Sequence, residues 1–181
     1  MRILLSGGAN SGKSALGQRL ALDLAAGGRR YYVATMIPTG REDEARIRRH
    51  LEARAGLGFE TVECFRDLRD LLRTADPAGT FLVDSVTALV QNALFPAEQG
   101  YRPDPEAARR CIRSLTDFAG QVRHAVFVSD FLCADGADYD AGTETYRRCL
   151  AQADRQLAAV CDTVAEVAAG QWIVYKGALW E

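Results

Sequence analysis

Residues 7–14 read GGANSGKS, which satisfies G-x-x-x-x-G-K-[ST], a spacing suited to holding phosphate. Gly7, Gly8 and Gly12 let the backbone curl, so that the N–H groups of a loop completed by Ala9, Asn10 and Ser11 face an anion. The helix start that follows adds partial positive charge. Lys13 is placed to neutralise β- and γ-phosphate oxygens, and the Ser14 hydroxyl to ligate Mg²⁺ beside a bound ATP or GTP. The plain alternative is a glycine-rich turn carrying an exposed lysine.

Partners for this cradle are sought at the ends of apolar runs. Asp84 closes FLVD, where a phosphate-binding protein places the acid that holds Mg²⁺; otherwise it caps a turn. Asp130 closes VFVSD with the same two readings, as a second candidate. The only histidines are His50 and His124. Arg46 lies four residues before His50 and Arg54 four after it, a helical spacing that puts all three on one face. Such a face can bring a neutral imidazole nucleophile and two cations to a triphosphate, the cations disfavouring imidazole protonation. Taken alone, a histidine on such a charged helix is more often a solvated surface residue. His124 begins a β-prone run without such neighbours and reads as structural.

A strand before the loop and a helix after it are required, and both are legible. RILL (2–5) is β-prone, and Leu16, Leu20 and Leu24 form a helical stripe. Strands are then expected at 29–35, 59–65, 80–85, 124–130 and in two runs joined by Gly170. Helices are expected at 40–54, exposed, at 67–75, after 85, at 107–122 and at 146–161. The segments 96–106 and 133–144 read as loops. The alternation predicts an α/β protein with a mainly parallel sheet and helices on both faces, a P-loop NTPase (RecA-like) three-layer fold in one domain spanning 1–181. In such a sheet the loops after the strand ends gather at one crevice.

The composition narrows the function. A formal net charge of -2 over 181 residues argues against a nucleic-acid-binding surface. No apolar run approaches a membrane span and no leader pattern opens the chain, so a soluble cytoplasmic protein is expected. Cys64, Cys111, Cys133, Cys149 and Cys161 are scattered and odd in number, which suits reduced packing residues. Asp135, Asp138 and Asp140 crowd one loop without a full calcium pattern, and a solvated loop is the simpler reading.

Beyond the spacing, a series of segments resembles the bifunctional adenosylcobinamide kinase and adenosylcobinamide-phosphate guanylyltransferase family. These are ILLSGGANSGKS, YVAT, Glu42 followed by ARI and His50, TVE-x-x-x-DL at 61–68, LVDSVT-x-x-x-x-N at 82–92, and the ending EVAAGQWIVYKG. The resemblance implies two reactions in cobalamin nucleotide-loop assembly. The aminopropanol hydroxyl of a cobinamide-type corrinoid is phosphorylated by a nucleoside triphosphate, and GMP from GTP is then transferred onto that phosphate. It implies that GMP rides on His50, within R-I-x-x-H, that His50, Lys13 and Asp84 are catalytic, and that Ser14 and Asp84 hold Mg²⁺. It adds Glu63 to a nucleotide-binding set of residues 7–14 with Arg46 and Arg54, and implies a homo-oligomer, a trimer.

The departures fall in the acceptor-handling half. DFLCADGADYDAG stands where the family reads N-E-V-G-x-G-I-V-P. Tyr146-Arg147-Arg148 and Asp154-Arg155 replace its F-R-D and N-Q, and Arg54 is followed by AGLGF rather than a proline and tryptophan. A P-loop kinase or NTPase with another acceptor and no guanylyl transfer is the alternative. A nucleotide-dependent regulatory protein is a third reading.

Overall fold

The computed structural model describes residues 1–132 and 137–180, apart from the side chains of Glu42 and Arg46. Cys133 and Asp135 therefore lie outside the described residues. Seven strands form one sheet: β1 (Arg2–Gly7), β2 (Arg30–Ala34), β3 (Glu60–Glu63), β4 (Thr80–Asp84), β5 (His124–Asp130), β6 (Thr163–Ala168) and β7 (Gln171–Lys176). Their spatial order is β3-β2-β4-β5-β1-β6-β7. All neighbours are parallel except the final hairpin of β6 and β7, so Gly7, Ala34, Glu63, Asp84 and Asp130 all end at the same sheet edge.

Strand alternation divides the core into two layers, because successive side chains point to opposite faces. Ile3, Leu5, Leu82, Val126 and Val128 pack beneath Leu16, Leu20 and Ala21 of α1 (Lys13–Ala25). Leu4, Val33, Phe81, Val83 and Phe127 face the other way, against α3 (Val86–Leu94), α4 (Pro105–Gln121) and α5 (Ala141–Val160). The three-layer α/β arrangement is thus the one expected from the alternation of elements. α1 comes close to the sheet at Gly17, where a Cβ would sit 3.0 Å from Leu82 Cδ1 and 3.3 Å from Val128 Cγ2.

Element ends follow local capping chemistry, and here the structure departs from the sequence expectation. The 67–75 helix is a 3₁₀ helix, Leu68–Arg73, started by the Asp67 carboxylate accepting from Arg69 N–H. α5 begins at Ala141 rather than 146, because Asp140 Oδ1 accepts from the N–H groups of Gly142 (2.8 Å) and Thr143 (3.1 Å). Asp140 is thereby a helix cap, while Asp138 stays exposed. The 96–106 loop contains a 3₁₀ turn, Ala97–Gln99, and ends at Asp104, which caps α4. α2 (Arg41–Ala53) forms where a charged helix is expected.

Two positions carry measurable costs. Gly17→Val has no room against Leu82 and Val128, and overpacking there is expected to destabilise by about 1–3 kcal/mol, read as a lower urea midpoint. Asp154, on α5, has an Oδ1 that is sealed from water and finds no hydrogen-bond partner among the described residues. Burial pushes its carboxyl up to about 6, the Ser129 hydroxyl pulls it partway back and neighbouring Asp130 adds to the push. Since this value lies above the unfolded value of 3.8, the folded chain holds the proton more tightly. Stability is therefore lost as pH rises between the two values and stays lost above them. Asp154→Asn is expected to raise stability by about 1–2 kcal/mol at pH 8, with the gain vanishing near pH 4; unfolding curves at both pH values check it.

Candidate active site

The loop from Gly7 to Ser14 runs from β1 into α1 and is braced by backbone amides from two distant segments as well as by its own lysine. Phe131 N–H donates to Gly7 C=O (2.8 Å), and Gly170 N–H, in the β6–β7 turn, donates to Ser11 C=O (2.9 Å). Gly7 is required by contact: a Cβ on it would lie 2.2 Å from the Val167 carbonyl oxygen, at φ +153°. Gly12, at φ 100°, starts α1 with no side chain capping it, whereas α3, α4 and α5 are each capped by a side chain. The first amides of α1 are left for another acceptor, as a phosphate cradle requires.

Lys13 is not exposed. Only 5% of its side chain meets solvent, and its ammonium donates to Gly7 O (3.0 Å) and Gly8 O (2.6 Å) while pairing with Asp130 Oδ1 at 2.9 Å. Asp130 is thus not free, and it caps no turn among the described residues; its own N–H donates to Thr87 Oγ1 (2.8 Å).

Asp84 ends β4 with 6% of its side chain exposed. It does not cap the following helix; Ser85 does, its Oγ accepting from Ala88 N–H. The Asp84 carboxylate instead gathers Tyr32 Oη–H (3.1 Å to Oδ2), His50 Nδ1 (3.4 Å) and the Ser14 hydroxyl. Burial alone pushes the Asp84 carboxyl up, but the hydrogen bonds from His50, Ser14 and Tyr32 outweigh it and hold the group below the ordinary carboxylate value.

His50 sits in the last turn of α2, 26% exposed, with Nδ1 also 3.3 Å from Tyr32 Oη. A carboxylate at Nδ1 favours the tautomer with its proton there, which leaves the Nε2 lone pair for chemistry. Arg54 follows just past the helix end and is more buried than the exposed helix of the sequence reading implies, at 7% exposed. Its guanidinium carbon lies 3.7 Å from the centre of the Tyr32 ring, Nη2 donates to Thr61 Oγ1 (3.4 Å), and the buried Nη1 has no partner among the described residues. Arg46 is on α2, but its side chain lies outside the described residues.

His50, Arg54, Glu63, Tyr32 and Asp84 line one cavity of ≈ 260 Å³. A second cavity of the same size, lined by Thr87, Gln91, Asn92, Tyr101 and Asp130, adjoins it through Met36 and Ser85. The wall between them is tied by polar contacts. Thr35 Oγ1 donates to Ser85 O (2.8 Å) and accepts from Ser85 N–H (2.7 Å), and Asn92 Nδ2 donates to Thr35 O (2.8 Å) and Phe65 O (3.2 Å). The sequence alone gives Tyr32, Thr35 and Asn92 no role, though each stands in one of the family-like segments, YVAT and LVDSVT-x-x-x-x-N. Nothing in the sequence pattern pairs Asp130 with Lys13.

The remaining sequence candidates lie elsewhere. His124 pairs through Nδ1 with the amino terminus (2.8 Å). Cys64, Cys111 and Cys161 are buried free thiols and Cys149 is half-buried; burial pushes the first up to about 11 and the next two to about 12, which keeps them protonated and inert. No helix among the described residues is long and apolar enough to cross a membrane.

The fold is shared with distant proteins. A Pyrococcus horikoshii OT3 protein, PH0250, superposes with TM-score 0.51 at 10% identity, over 97% of this chain and 86% of its own. A prototypical ATPase from the type III secretion system of pathogenic bacteria gives 0.55 at 16%, over 91% and 50%. These likenesses concern the fold alone. Closer in sequence are two proteins named bifunctional adenosylcobalamin biosynthesis protein CobU. The one from Salmonella typhimurium is 39% identical over 59% of this chain and 56% of its own length, and the one from Escherichia coli is 33% identical over 64% and 66%. The matches thus span less than two thirds of those relatives' lengths. The CobU family model, described as cobinamide kinase / cobinamide phosphate guanyltransferase, matches residues 3–174, nearly the whole chain, and on that match the chain belongs to this family.

Proposed function

We propose that the protein phosphorylates the hydroxyl of a cobinamide-type corrinoid with a nucleoside triphosphate and then transfers GMP from GTP to that phosphate, with His50 carrying the GMP. The observation that carries this reading is the cavity beside the P-loop. There His50, fixed at Nδ1 by Asp84 and Tyr32, shares a wall with Arg54, whose buried Nη1 lacks a partner. An unpaired guanidinium N–H is costly to bury, and a phosphate oxygen would satisfy it. Glu63, at the rim of the same cavity, is assigned to the nucleotide as well.

In the guanylyl step, the N–H groups of Gly8 to Ser14 and the Lys13 ammonium hold the β- and γ-phosphates. Nε2 of His50 attacks the α-phosphorus, the bond from that phosphorus to the α–β bridging oxygen breaks, and pyrophosphate leaves with the electron pair. The imidazole keeps its Nδ1 proton throughout, and Asp84 stabilises the positive charge that develops on the ring. An oxygen of the corrinoid phosphate then attacks the same phosphorus, and His50 leaves as neutral imidazole. Ser14 and Asp84 offer one hydroxyl and one carboxylate, a hard-oxygen pair that fits Mg²⁺ completed by phosphate and water. When bound, Mg²⁺ would supply charge neutralisation at the departing phosphates. The reading includes a homo-oligomer and a cytoplasmic setting.

The test is incubation with α-³²P-GTP and Mg²⁺. The wild-type protein is expected to take up a label that is acid-labile and base-stable, as a phosphoramidate is, and His50→Ala to take up none. Binding of GTP without any covalent label in the wild type would remove the guanylyl-transfer half and leave a P-loop kinase.

A further inference from the structure

The second cavity contains a titratable group that the guanylyl step does not use. Asp130 lies at the end of β5, in register with Gly7 of the P-loop, and its side chain is 19% exposed. It faces a space walled by Thr87, Gln91, Asn92, Phe95 and Tyr101, a mixture of polar and apolar groups, and this space adjoins the His50 cavity. Its backbone is fixed through Thr87 Oγ1, and Thr87 is held in turn by Tyr146 Oη–H donating to Thr87 O (3.1 Å). The carboxylate is therefore positioned by three elements, β5, α3 and α5. Its only described ionic partner is Lys13, at 2.9 Å.

Lys13 cannot serve this carboxylate and a triphosphate fully at once. Its ammonium is occupied by two loop carbonyls and Asp130, and a bound phosphate takes those same protons. When that happens Asp130 loses its counter-ion while lining the cavity, beside the ammonium that would hold the phosphate.

Resting on the kinase half of the proposed function, we propose that Asp130 is the general base of phosphoryl transfer and that the second cavity receives the hydroxyl-bearing arm of the acceptor. In this step the acceptor oxygen forms a bond to the γ-phosphorus and its proton passes to Asp130 Oδ. The bond from the γ-phosphorus to the β–γ bridging oxygen breaks, and the nucleoside diphosphate leaves with the electron pair. Asp130 later returns the proton to water. Lys13 makes the base conditional: without nucleotide the carboxylate is neutralised, and with nucleotide it is released. Asp130 adds to the upward push on the Asp154 carboxyl, which faces it from α5, so the region tolerates one free carboxylate better than two.

The experiment compares wild type with Asp130→Asn, which keeps the shape and can still hydrogen-bond. Two quantities are read: transfer of label from γ-³²P-ATP to cobinamide, and affinity for a fluorescent ATP analogue. Asp130→Asn is expected to lower kcat for phosphorylation by about 10²- to 10⁴-fold, the range for removing a general base, with a much smaller change in KM for cobinamide. At the same time it should bind the nucleotide several-fold more tightly, because Lys13 loses its competitor and a negative charge leaves the phosphate site. A purely structural role for Asp130 weakens both quantities together. Wild-type kcat in Asp130→Asn, or a joint loss of rate and nucleotide affinity, would overturn the proposal. A wild-type protein that binds the ATP analogue yet labels no cobinamide overturns the kinase reading itself, and the wild-type arm separates that failure from a failure of Asp130.

Discussion

The constraint on which the site depends is the burial of one ammonium group. Lys13 sits at 5% exposure inside the loop that would bind phosphate, and a buried cation needs partners in every direction its protons point. Gly7 O, Gly8 O and Asp130 provide them. Two of these partners are backbone carbonyls of the loop itself, so the loop keeps its curl by wrapping its own lysine. The remaining supports come from chain segments distant in sequence, the amides of Phe131 and Gly170. β5 and the β6–β7 turn thereby determine the shape of a motif that is contiguous at the other end of the chain.

Parallel pairing turns this local arrangement into a two-sided site. β1 lies between β5 and β6, and β4 lies on the far side of β5. The acids that end β4 and β5 consequently flank the start of α1, Asp84 reaching the Ser14 hydroxyl and Asp130 reaching the Lys13 ammonium. Adjacent residues of one helix thus point to different carboxylates, each of which lines a different cavity. Asp84 is surrounded by hydrogen-bond donors that keep it ionised despite burial, and one of them is an imidazole. Asp130 has a cation that a ligand can remove. The two acids share a sheet edge and differ in chemistry because their neighbours differ.

Much of this was legible in the sequence for physical reasons. A loop whose glycines are needed for close backbone contact leaves a fixed spacing, as Gly7 against the Val167 carbonyl illustrates. Strands buried on both faces leave continuous apolar runs such as FLVD and VFVSD, and the acid at the end of such a run stands out. The spacing of His50 and Arg54 was also readable, but not the reason they meet. Arg54 leaves the helix and stacks on Tyr32, a residue of β2, and that contact follows from the placement of α2 over the sheet edge. Helix starts were misplaced where Asp104 and Asp140 cap earlier than the apolar stripe begins. The Lys13–Asp130 pair joins residues more than a hundred positions apart, and no local periodicity encodes such a contact.

The wall between the two cavities bears on how one small chain could run two reactions. Thr35, Ser85 and Asn92 tie the loops that follow β2, β3 and β4 through hydrogen bonds that are buried between Thr35 and Ser85 and part-buried at Asn92. Polar contacts in such a place are strong and directional, and they resist sliding more than apolar packing does. The His50 side and the Asp130 side are therefore held apart across Met36 and Ser85, and each meets the phosphate loop through one acid, Asp84 at Ser14 and Asp130 at Lys13. In the proposed function, a nucleotide bound in that loop presents its γ-phosphate toward one side or its α-phosphate toward the other without any movement of the protein framework. The acceptor needs only to offer a hydroxyl in the first reaction and the resulting phosphate in the second. On this geometry the order of the two reactions follows from what the acceptor carries, and the site need not be rebuilt between them.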